Sequence, residues 1–339
     1  MATFKIYQLR FTSPLHISSM RDDGGISQRT IHSDTLYSAL MACLAKIGYE
    51  IPTNGNLGFS LSSMFPYYQE TENSQPILFL PMPLRTRLPE LKDVSKAKAV
   101  KKVQWIDSLL YDKVLAGDNF FDGSEEYIPF IQDGYLTKNI LPSDINGSKD
   151  FIKSEVSQRV MIENRVGEED AMPYYIDKIT FRDLSGLYFL AEGNTELLDK
   201  AMTVLSQEGI GTDRNVGLGF FSFKTNKLSL ELPNDGTHMV SLSTLIPENE
   251  HQLHQMIASD ETAYDFTRRG GWITTYPYNT LRKNAIYAFL PGSVFGRVSN
   301  DAYSVIGKIV DLTPNIGDVT PSHHIWRNGK SIMLSMRLN

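Results

Sequence analysis

The sequence predicts an α+β fold, in which strands and helices alternate along the first two thirds of the chain. Alternating or continuous apolar residues predict strands at 3–10, 77–81, 187–191 and 220–224. Two segments instead place apolar residues on one helical face: Leu36, Leu40, Leu44 and Ile47 in the first, and Leu198, Ala201, Met202 and Leu205 in the second. The order is strand, helix, strand, strand, helix, strand, which is the split arrangement of a ferredoxin-like fold.

The first helix has polar residues at its start and a glycine at its end. Ser33 or Asp34 is expected to cap it by accepting from the free amides, and Gly48 ends it. The second helix is capped by Asn194 or Thr195. The single cysteine, Cys43, lies close to the apolar stripe and is expected to be a small core residue.

A long insertion of about 82–185 interrupts this pattern. Lysines, prolines and glycines break up its first half, in which only 103–115 has helical spacing. Its second half predicts a hairpin over 154–181, with alternating apolar residues on both arms and a polar tip at 163–170. Strands at 239–242, 285–290, 308–311 and 331–337, with a helix at 251–259, predict a second, reduced domain over 226–339 after a first domain over 1–225.

A glycine-rich loop follows the second helix. Gly209, Gly211, Gly217 and Gly219 enclose Thr212, Asp213, Arg214 and Asn215. Glycine reaches positive φ without steric cost, so such a loop can point its amides at an anion, typically a phosphate. The spacing matches neither the P-loop nor the dinucleotide fingerprint. A plain helix-to-strand turn is the alternative interpretation.

Composition limits the function classes. The chain has 339 residues and a net charge of −6, which argues against coating nucleic acid by bulk charge. One cysteine excludes internal disulfides, and no apolar run is long enough for a membrane span, so a cytoplasmic protein without a membrane partner is expected. The histidine pairs His251/His254 and His323/His324 lack the neighbours of a metal site, and no cofactor or metal is predicted.

Four segments together carry a resemblance to a known family. They are 13–17 at the end of the first strand, 31–36 at the start of the first helix, the glycine loop, and the late 291–295. In order and spacing they resemble the RAMP superfamily of CRISPR proteins, and within it the Cas5-like group that contains the fourth Csm subunit of type III-A effector complexes.

The resemblance implies two ferredoxin-like (RRM-like) modules, with a β-hairpin thumb in the first. It also implies a non-catalytic RNA-binding subunit that holds the 5′ repeat-derived handle of the crRNA. Such a subunit joins the Cas10-type large subunit to the backbone RAMP subunit of the Csm complex, with target RNA near the thumb.

Candidate RNA-binding residues follow from the loop and the resemblance. We expect loop amides and Arg214 to meet phosphate, and His32, Ser33 and Asp34 to face the same end of the sheet. Asp213 is expected to order the loop amides or to pair with Arg214. The complete set is Gly209, Gly211, Thr212, Arg214, Asn215, Gly217, Gly219, His32, Ser33, Asp34, His16, Ser18, Arg159, Met161, Ile162, Arg165, Arg268, Arg269, Trp272, Gly292 and Ser293.

Within this set, Met161 and Ile162 near the hairpin tip could wedge between nucleotides. Trp272 could stack on a base or lie buried beneath a surface loop. Two other functions stay open: a metal-independent repeat endoribonuclease with His16 or His32 as general acid/base, and a protein–protein adaptor without RNA contacts. The equivalent subunit of a type III-B or III-D complex is a close variant of the first reading.

Overall fold

The computed structural model describes residues 1–18, 26–86, 94–118, 131–132, 134–137, 151–162, 171–315 and 321–338. The α+β prediction is confirmed, since both helices and mainly antiparallel strands are present. The helices are α1 (Ser33–Lys46), α2 (Val94–Lys101), α3 (Ser108–Ala116), α4 (Thr195–Glu208) and α5 (Glu250–Ile257).

The strands are β1 (Ala2–Phe11), β2 (Phe59–Leu61), β3 (Phe65–Tyr68), β4 (Ile77–Pro81), β5 (Trp105–Asp107), β6 (Ile131–Gln132), β7 (Tyr135–Leu136), β8 (Ile152–Ile162), β9 (Ala171–Phe181), β10 (Ser185–Gly193), β11 (Phe221–Leu230), β12 (His238–Ser241), β13 (Phe266–Arg269), β14 (Ile286–Phe289), β15 (Val294–Gly296), β16 (Tyr303–Ile306), β17 (Ile309–Asp311), β18 (Trp326–Asn328) and β19 (Ser331–Met336).

The main sheet has nine strands in the order β11-β1-β10-β3-β4-β5-β7-β6, and β2 also pairs with β10. β1 separates two apolar layers, because successive side chains of a strand point to opposite faces. Tyr7 and Leu9 pack in the layer formed by α1 and α4, while Phe4 and Ile6 pack in the layer that contains α3. The predicted first strand, both long helices and the strands at 77–81, 187–191 and 220–224 are confirmed.

Two strands between 51 and 76 were not predicted, and the prediction for 103–115 is wrong in part. The segment 51–76 contains β2 and β3, which the sequence pattern does not reveal because both are short and β3 contains Pro66. The segment 103–115 is not one helix, since β5 precedes α3 and adds to the main sheet. In β5 the apolar residues alternate between the two faces of the sheet, and in α3 they lie along one face of the helix.

The predicted hairpin is present as the two-stranded sheet β8–β9, paired from Ile152↔Phe181 to Ile162↔Ala171. Its base is joined to the first domain by the bridge between Leu15 and Ile179. The tip at 163–170, with Arg165, lies outside the described residues, as do the side chains of Met161 and Ile162.

The last hundred residues form a second sheet, in the order β15-β12-β19-β16. Val240, Ile332 and Leu334 of this sheet share an apolar layer with Phe4 and Ile6 of β1. Burial of this common layer holds the two sheets together. Among the described residues, no helix combines the length and apolar character that crossing a membrane requires.

Candidate nucleic-acid interface

The glycines after α4 let two stretches of backbone approach each other closely. A Cβ on Gly219 would lie 1.9 Å from the Ile210 carbonyl oxygen, and one on Gly211 would lie 2.5 Å from the His16 carbonyl oxygen. Both glycines have positive φ, at 75° and 105°. Gly217 also has positive φ, at 96°, but a Cβ there would meet nothing within 4 Å. Gly211 and Gly219 are therefore needed for close packing of the backbone, whereas Gly217 is needed only for the backbone conformation of the turn.

The amides of three loop glycines are used inside the protein. Gly209 donates to Leu205, Gly217 to Arg214 and Gly219 to Pro14. This corrects the expectation that the glycine amides point at phosphate, because their hydrogens already have carbonyl acceptors. The Gly219 amide is used by the packing of the loop on the segment 13–17, whereas the Gly209 and Gly217 amides close the end of α4 and the turn that follows it.

The exposed tip of the loop keeps free donors. In the part of the chain that the structure describes, the amides of Gly211, Asp213, Arg214 and Asn215 make no hydrogen bond. The side chains of Thr212 and Asn215 are exposed. Asp213 adopts the left-handed conformation, with φ 61°. Successive amides beside a residue in this conformation can form a concave anion-binding nest. The tip can therefore accept an anion, although Gly211 is the only one of the four loop glycines whose amide is free in the described part of the chain.

The segment 14–18 lies between this loop and the hairpin. Leu15 exchanges both backbone hydrogen bonds with Ile179 of β9, while Thr212 donates its amide to the His16 carbonyl at 2.8 Å. The Ser18 amide donates to the Thr212 hydroxyl at 3.5 Å. The structure thus brings His16, Ser18, the glycine loop and the hairpin base into one surface, which we call the loop–hairpin surface.

His16 is buried within this surface. Its Nδ1 donates to the Asp177 carbonyl at 2.7 Å, and only 3% of the residue is exposed. A general acid/base must reach the proton that it transfers. The burial of His16 favours a structural role that fixes the segment 14–18 on β9.

Asp213 joins the loop to the hairpin. Its carboxylate accepts from Arg159 of β8 at 3.2 Å, and both side chains are about one third exposed. This corrects the expected pairing of Asp213 with its neighbour Arg214, whose guanidinium is left for other partners. Neutralising Asp213 through Arg159 also removes a negative charge that would repel an anion at the tip.

Replacing Arg159 by alanine is expected to loosen the hairpin against the loop without unfolding the protein. A partly exposed ion pair contributes less than about 1 kcal/mol, so the free energy of unfolding changes little. Hydrogen exchange measured by mass spectrometry should quicken in 152–160 and 212–217. Arg10→Ala, which removes the exposed Arg10–Glu72 pair, is the control. Unchanged exchange in both segments would contradict a positioning role for Arg159.

The start of α1 is a second, separate cluster. His32 occupies the N-cap position and makes no side-chain capping bond, so neither Ser33 nor Asp34 is the N-cap residue. The Asp34 carboxylate nevertheless accepts from the first-turn amide of Thr35 at 2.8 Å, as expected for Asp34. The Ser33 hydroxyl is instead hydrogen-bonded to Thr244 at 2.8 Å, and its amide donates to Ser63. Ser33 is buried, so its side chain holds the segment that follows β12.

This cluster does not lie at the same end as the glycine loop, contrary to expectation. The residue of α1 that approaches the end of α4 is Lys46, which pairs with Glu208 at 2.6 Å. Lys46 is the last residue of the 14-residue helix α1. The start of α1 is therefore about 20 Å from Lys46, at a rise of 1.5 Å per residue.

Asp34 is the centre of this second cluster. It is buried, and its carboxylate accepts from Arg269 Nε at 2.7 Å and from Arg327 at 2.8 Å. Burial alone would raise the pKa of Asp34, but the Arg327 and Arg269 guanidiniums outweigh it and hold that pKa well below the usual range. Asp34 and Arg269 are thus engaged with each other, and we call Asp34, Arg269, Arg327 and their neighbours His32 and Lys283 the arginine cluster.

His32 is half-buried beside these cations. Burial, followed by the Arg269 charge, lowers the pKa of His32 to about 4, so its imidazole is neutral at pH 7. Sequence reasoning missed Arg327 and Lys283. Arg327 contacts Asp34 although the two residues are 293 positions apart in the chain, so no local motif marks this contact.

The remaining candidates differ in exposure. Arg268 is exposed, and Trp272 is 53% exposed beneath the Arg282 guanidinium at 4.6 Å, so the alternative of a buried tryptophan is wrong. Ser293 is buried and its hydroxyl donates to Leu290 at 2.7 Å, while the Gly292 amide donates to Ser241. The Gly292 carbonyl also accepts from the Leu84 amide at 2.9 Å, so this position contacts the segment that follows β4.

No group of three or more potential metal ligands occurs among the residues that the structure describes. The loop–hairpin surface offers backbone amides, hydroxyl and amide side chains, and the arginines Arg159 and Arg214. These groups recognise phosphate and sugar oxygens.

Comparison with known proteins gives a consistent result. A family model for the CRISPR Csm4 C-terminal domain matches residues 234–336. The Csm4 protein of Streptococcus thermophilus is 24% identical over 323 residues, covering 92% of this chain and 93% of the relative. The Csm4 protein of Thermococcus onnurineus is 25% identical over 228 residues, and the match spans 63% of this chain and 64% of that relative.

Solved structures share the fold. A Csm3-Csm4 subcomplex of the type III-A CRISPR-Cas interference complex contains a chain with a TM-score of 0.62 and 19% identity, with coverage of 99% of this chain and 100% of that one. A Csm1-Csm4 cassette in complex with cA4 contains one with a TM-score of 0.57 and 19% identity, covering 100% of this chain and 99% of that one. The sequence matches and the shared fold agree that the chain is a Csm4-like RAMP protein.

Proposed function

We propose that this protein is a non-catalytic, RNA-binding subunit of a type III-A CRISPR-Cas effector complex. Its role is to hold the 5′ repeat-derived handle of the crRNA at the loop–hairpin surface. The observation that carries the proposal is the exposed loop tip, where the amides of Asp213, Arg214 and Asn215 have no acceptor in the described part of the chain. A single-stranded RNA end offers phosphate oxygens to such donors.

The architecture supports the same role. The strand order β11-β1-β10-β3 follows the order of a ferredoxin-like sheet, and β8–β9 can act as the thumb near target RNA. The solved relatives include complexes with Csm1 and with Csm3. By analogy we assign a Cas10-type large subunit and a backbone RAMP subunit as the partners of this chain, in the cytoplasm. The same surface would serve an equivalent subunit of a type III-B or III-D complex.

Arg214→Ala tests the assigned RNA contact. A charged hydrogen bond to phosphate is lost, so the affinity for a labelled repeat-handle RNA should fall roughly 10-fold, with a shallower dependence on salt. Fluorescence anisotropy with the full chain measures both. Arg337→Ala is the matched control, because Arg337 is exposed and already paired with Asp235.

Equal affinities of the wild type, Arg214→Ala and Arg337→Ala would contradict the assignment. RNA binding by none of them would instead favour the adaptor reading, and metal-independent cleavage of repeat RNA would favour the endoribonuclease. The buried, hydrogen-bonded His16 supports the non-catalytic reading.

A further inference from the structure

A cavity lies on the main sheet, on the face opposite the one that α1 and α4 cover. Because side chains alternate along β1, Gln8 and Arg10 point to the same side as Phe4 and Ile6, and both line this cavity. Its volume is about 190 Å³. One water needs only about 10–15 Å³ of such space, so the cavity has room for a small ligand.

Two buried polar side chains line the cavity without a hydrogen-bond partner. Gln8 is 1% exposed, and its Oε1 accepts from Asn226 at 2.5 Å, whereas its Nε2 has no acceptor among the described residues. Tyr67 of β3 is 3% exposed, and its hydroxyl makes no hydrogen bond within that part of the chain. Burial raises the pKa of Tyr67 to about 12, so the hydroxyl keeps its proton at pH 7. Buried donors without acceptors are unfavourable, and an acceptor bound in the cavity would relieve both.

The walls of the cavity carry an excess of positive charge. Lys224 of β11 donates from Nζ to Gln69 Oε1 at 2.8 Å, a neutral partner that leaves the lysine charge uncompensated. Arg10 is paired with Glu72 at 2.8 Å, and this exposed pair lies at the rim. Asp183, 3.8 Å from Arg10, has a fully exposed side chain and does not line the cavity. Two cations and one carboxylate therefore line it, with a net charge of +1.

The turn after β3 forms one wall and is held in place by its own hydrogen bonds. Gln69 Nε2 donates to the carbonyls of Glu72 and Ser74 at 2.9 and 2.8 Å, and the Gln69 amide donates to the Leu184 carbonyl at 2.9 Å. Leu184 lines the cavity with a positive φ of 60°, which is strained for a bulky residue. Strained backbone of this kind is concentrated at ligand sites. The turn therefore fixes the acceptor that orients Lys224.

We propose that this cavity binds a terminal phosphate group, with Gln8 Nε2, the Tyr67 hydroxyl and Lys224 Nζ as its donors. A phosphate offers an oxygen to each of the three donors, whereas a carboxylate has only two oxygens. The buried side chains of Gln8 and Tyr67 close the inner end, so the rest of the ligand points toward the rim and solvent. The phosphate can belong to a mononucleotide or to the end of an RNA chain, since both present the same oxygens.

Isothermal titration calorimetry of the full chain with inorganic phosphate and AMP tests the site. Tyr67→Phe removes one donor and Lys224→Gln removes one cation, and each should weaken AMP binding roughly 10-fold, as expected for a hydrogen bond to a charged group. The melting temperature of unliganded Tyr67→Phe should stay unchanged or rise, because the hydroxyl has no partner to lose. AMP should raise the melting temperature of the wild type more than that of either variant.

Lys227→Gln is the matched control, because Lys227 is exposed on the same strand as Lys224 and does not line the cavity. Acetate is the control ligand. The site is overturned if the wild type binds neither inorganic phosphate nor AMP, or if Tyr67→Phe binds AMP with unchanged affinity. Equal weakening by Lys227→Gln would indicate a bulk-charge effect, and acetate binding as tight as that of phosphate would indicate a carboxylate site; either result also overturns the proposal.

A competition experiment identifies the source of the phosphate. Displacement of AMP by a 5′-phosphorylated RNA trimer, but not by the 5′-hydroxyl trimer, supports the site and assigns it to an RNA end. Displacement by neither trimer, with AMP bound, supports it as a mononucleotide site. No residue of the loop–hairpin surface lines the cavity, so failure of this site leaves the proposed function standing.

Discussion

Asp34→Ala is expected to destabilise the protein by about 3–5 kcal/mol, the effect of removing one partner of a buried ion pair. The carboxylate is 1% exposed and accepts from both Arg269 and Arg327. Alanine would leave the Arg327 guanidinium, which is also buried, beside Arg269 with no compensating charge. Chemical denaturation monitored by circular dichroism measures the change in the free energy of unfolding.

Asp235→Ala is the control, because Asp235 forms an exposed pair with Arg337 and should show little change. The double variant Asp34→Leu with Arg327→Met should recover part of the loss, since an apolar pair replaces a charged one. An Asp34→Ala protein as stable as the control would show that solvent screens the pair.

The pH dependence of this pair has a definite sign. The pKa of Asp34 is depressed in the folded state, so its stabilisation is complete above the unfolded pKa of about 4. It is lost progressively as the pH falls from that value toward the folded pKa, because the unfolded carboxyl binds a proton there while the folded carboxylate stays ionised. In Asp34→Ala, this part of the acid sensitivity should disappear.

Gly219→Ala is expected to destabilise the protein by about 3 kcal/mol or more, because two unfavourable effects combine. The added Cβ would overlap the Ile210 carbonyl oxygen at 1.9 Å, and the backbone φ of 75° is strained for alanine. Moving the chain to relieve the overlap breaks the hydrogen bonds from Ile210 to Gly219 and from Gly219 to Pro14. Thermal and denaturant unfolding measure the loss.

Gly217→Ala separates backbone strain from packing. It has a positive φ of 96° but open space around the position of a Cβ, so only about 1–2 kcal/mol is expected. The displaced loop of Gly219→Ala should also lower affinity for handle RNA, whereas Gly217→Ala should bind nearly as the wild type does. Equal losses of stability in the two variants would argue that the loop does not pack as described.

Local patterns in the sequence predicted most of the regular elements. The stripe in α4 and its cap are an instance: the Asn194 side chain accepts from the Leu197 amide at 3.2 Å, as expected. The long hairpin was also predictable from alternation. β2 and β3 were not, because strands of three and four residues carry too little periodicity.

The candidate site was predictable only in outline. The spacing of the glycines indicated the loop after α4 as the candidate site. It also suggested that the glycine amides were free to donate to a ligand. Their acceptors include Pro14, and the Cβ position of Gly211 is closed by His16; both belong to a segment some 200 residues earlier in the chain. Likewise, proximity in sequence favoured Arg214 as the partner of Asp213, whereas the partner is Arg159.

By itself, the sequence determined most of the longer strands and helices, the position of the glycine loop, and the resemblance to the RAMP superfamily. These follow from residue spacing within a few positions, which sets the face that each side chain occupies. Tertiary structure alone decided which charges meet, which amides stay free, and that the start of α1 contacts Thr244, Arg269 and Arg327. Those outcomes depend on contacts between distant segments, since burial and pairing exist only once the two sheets have packed.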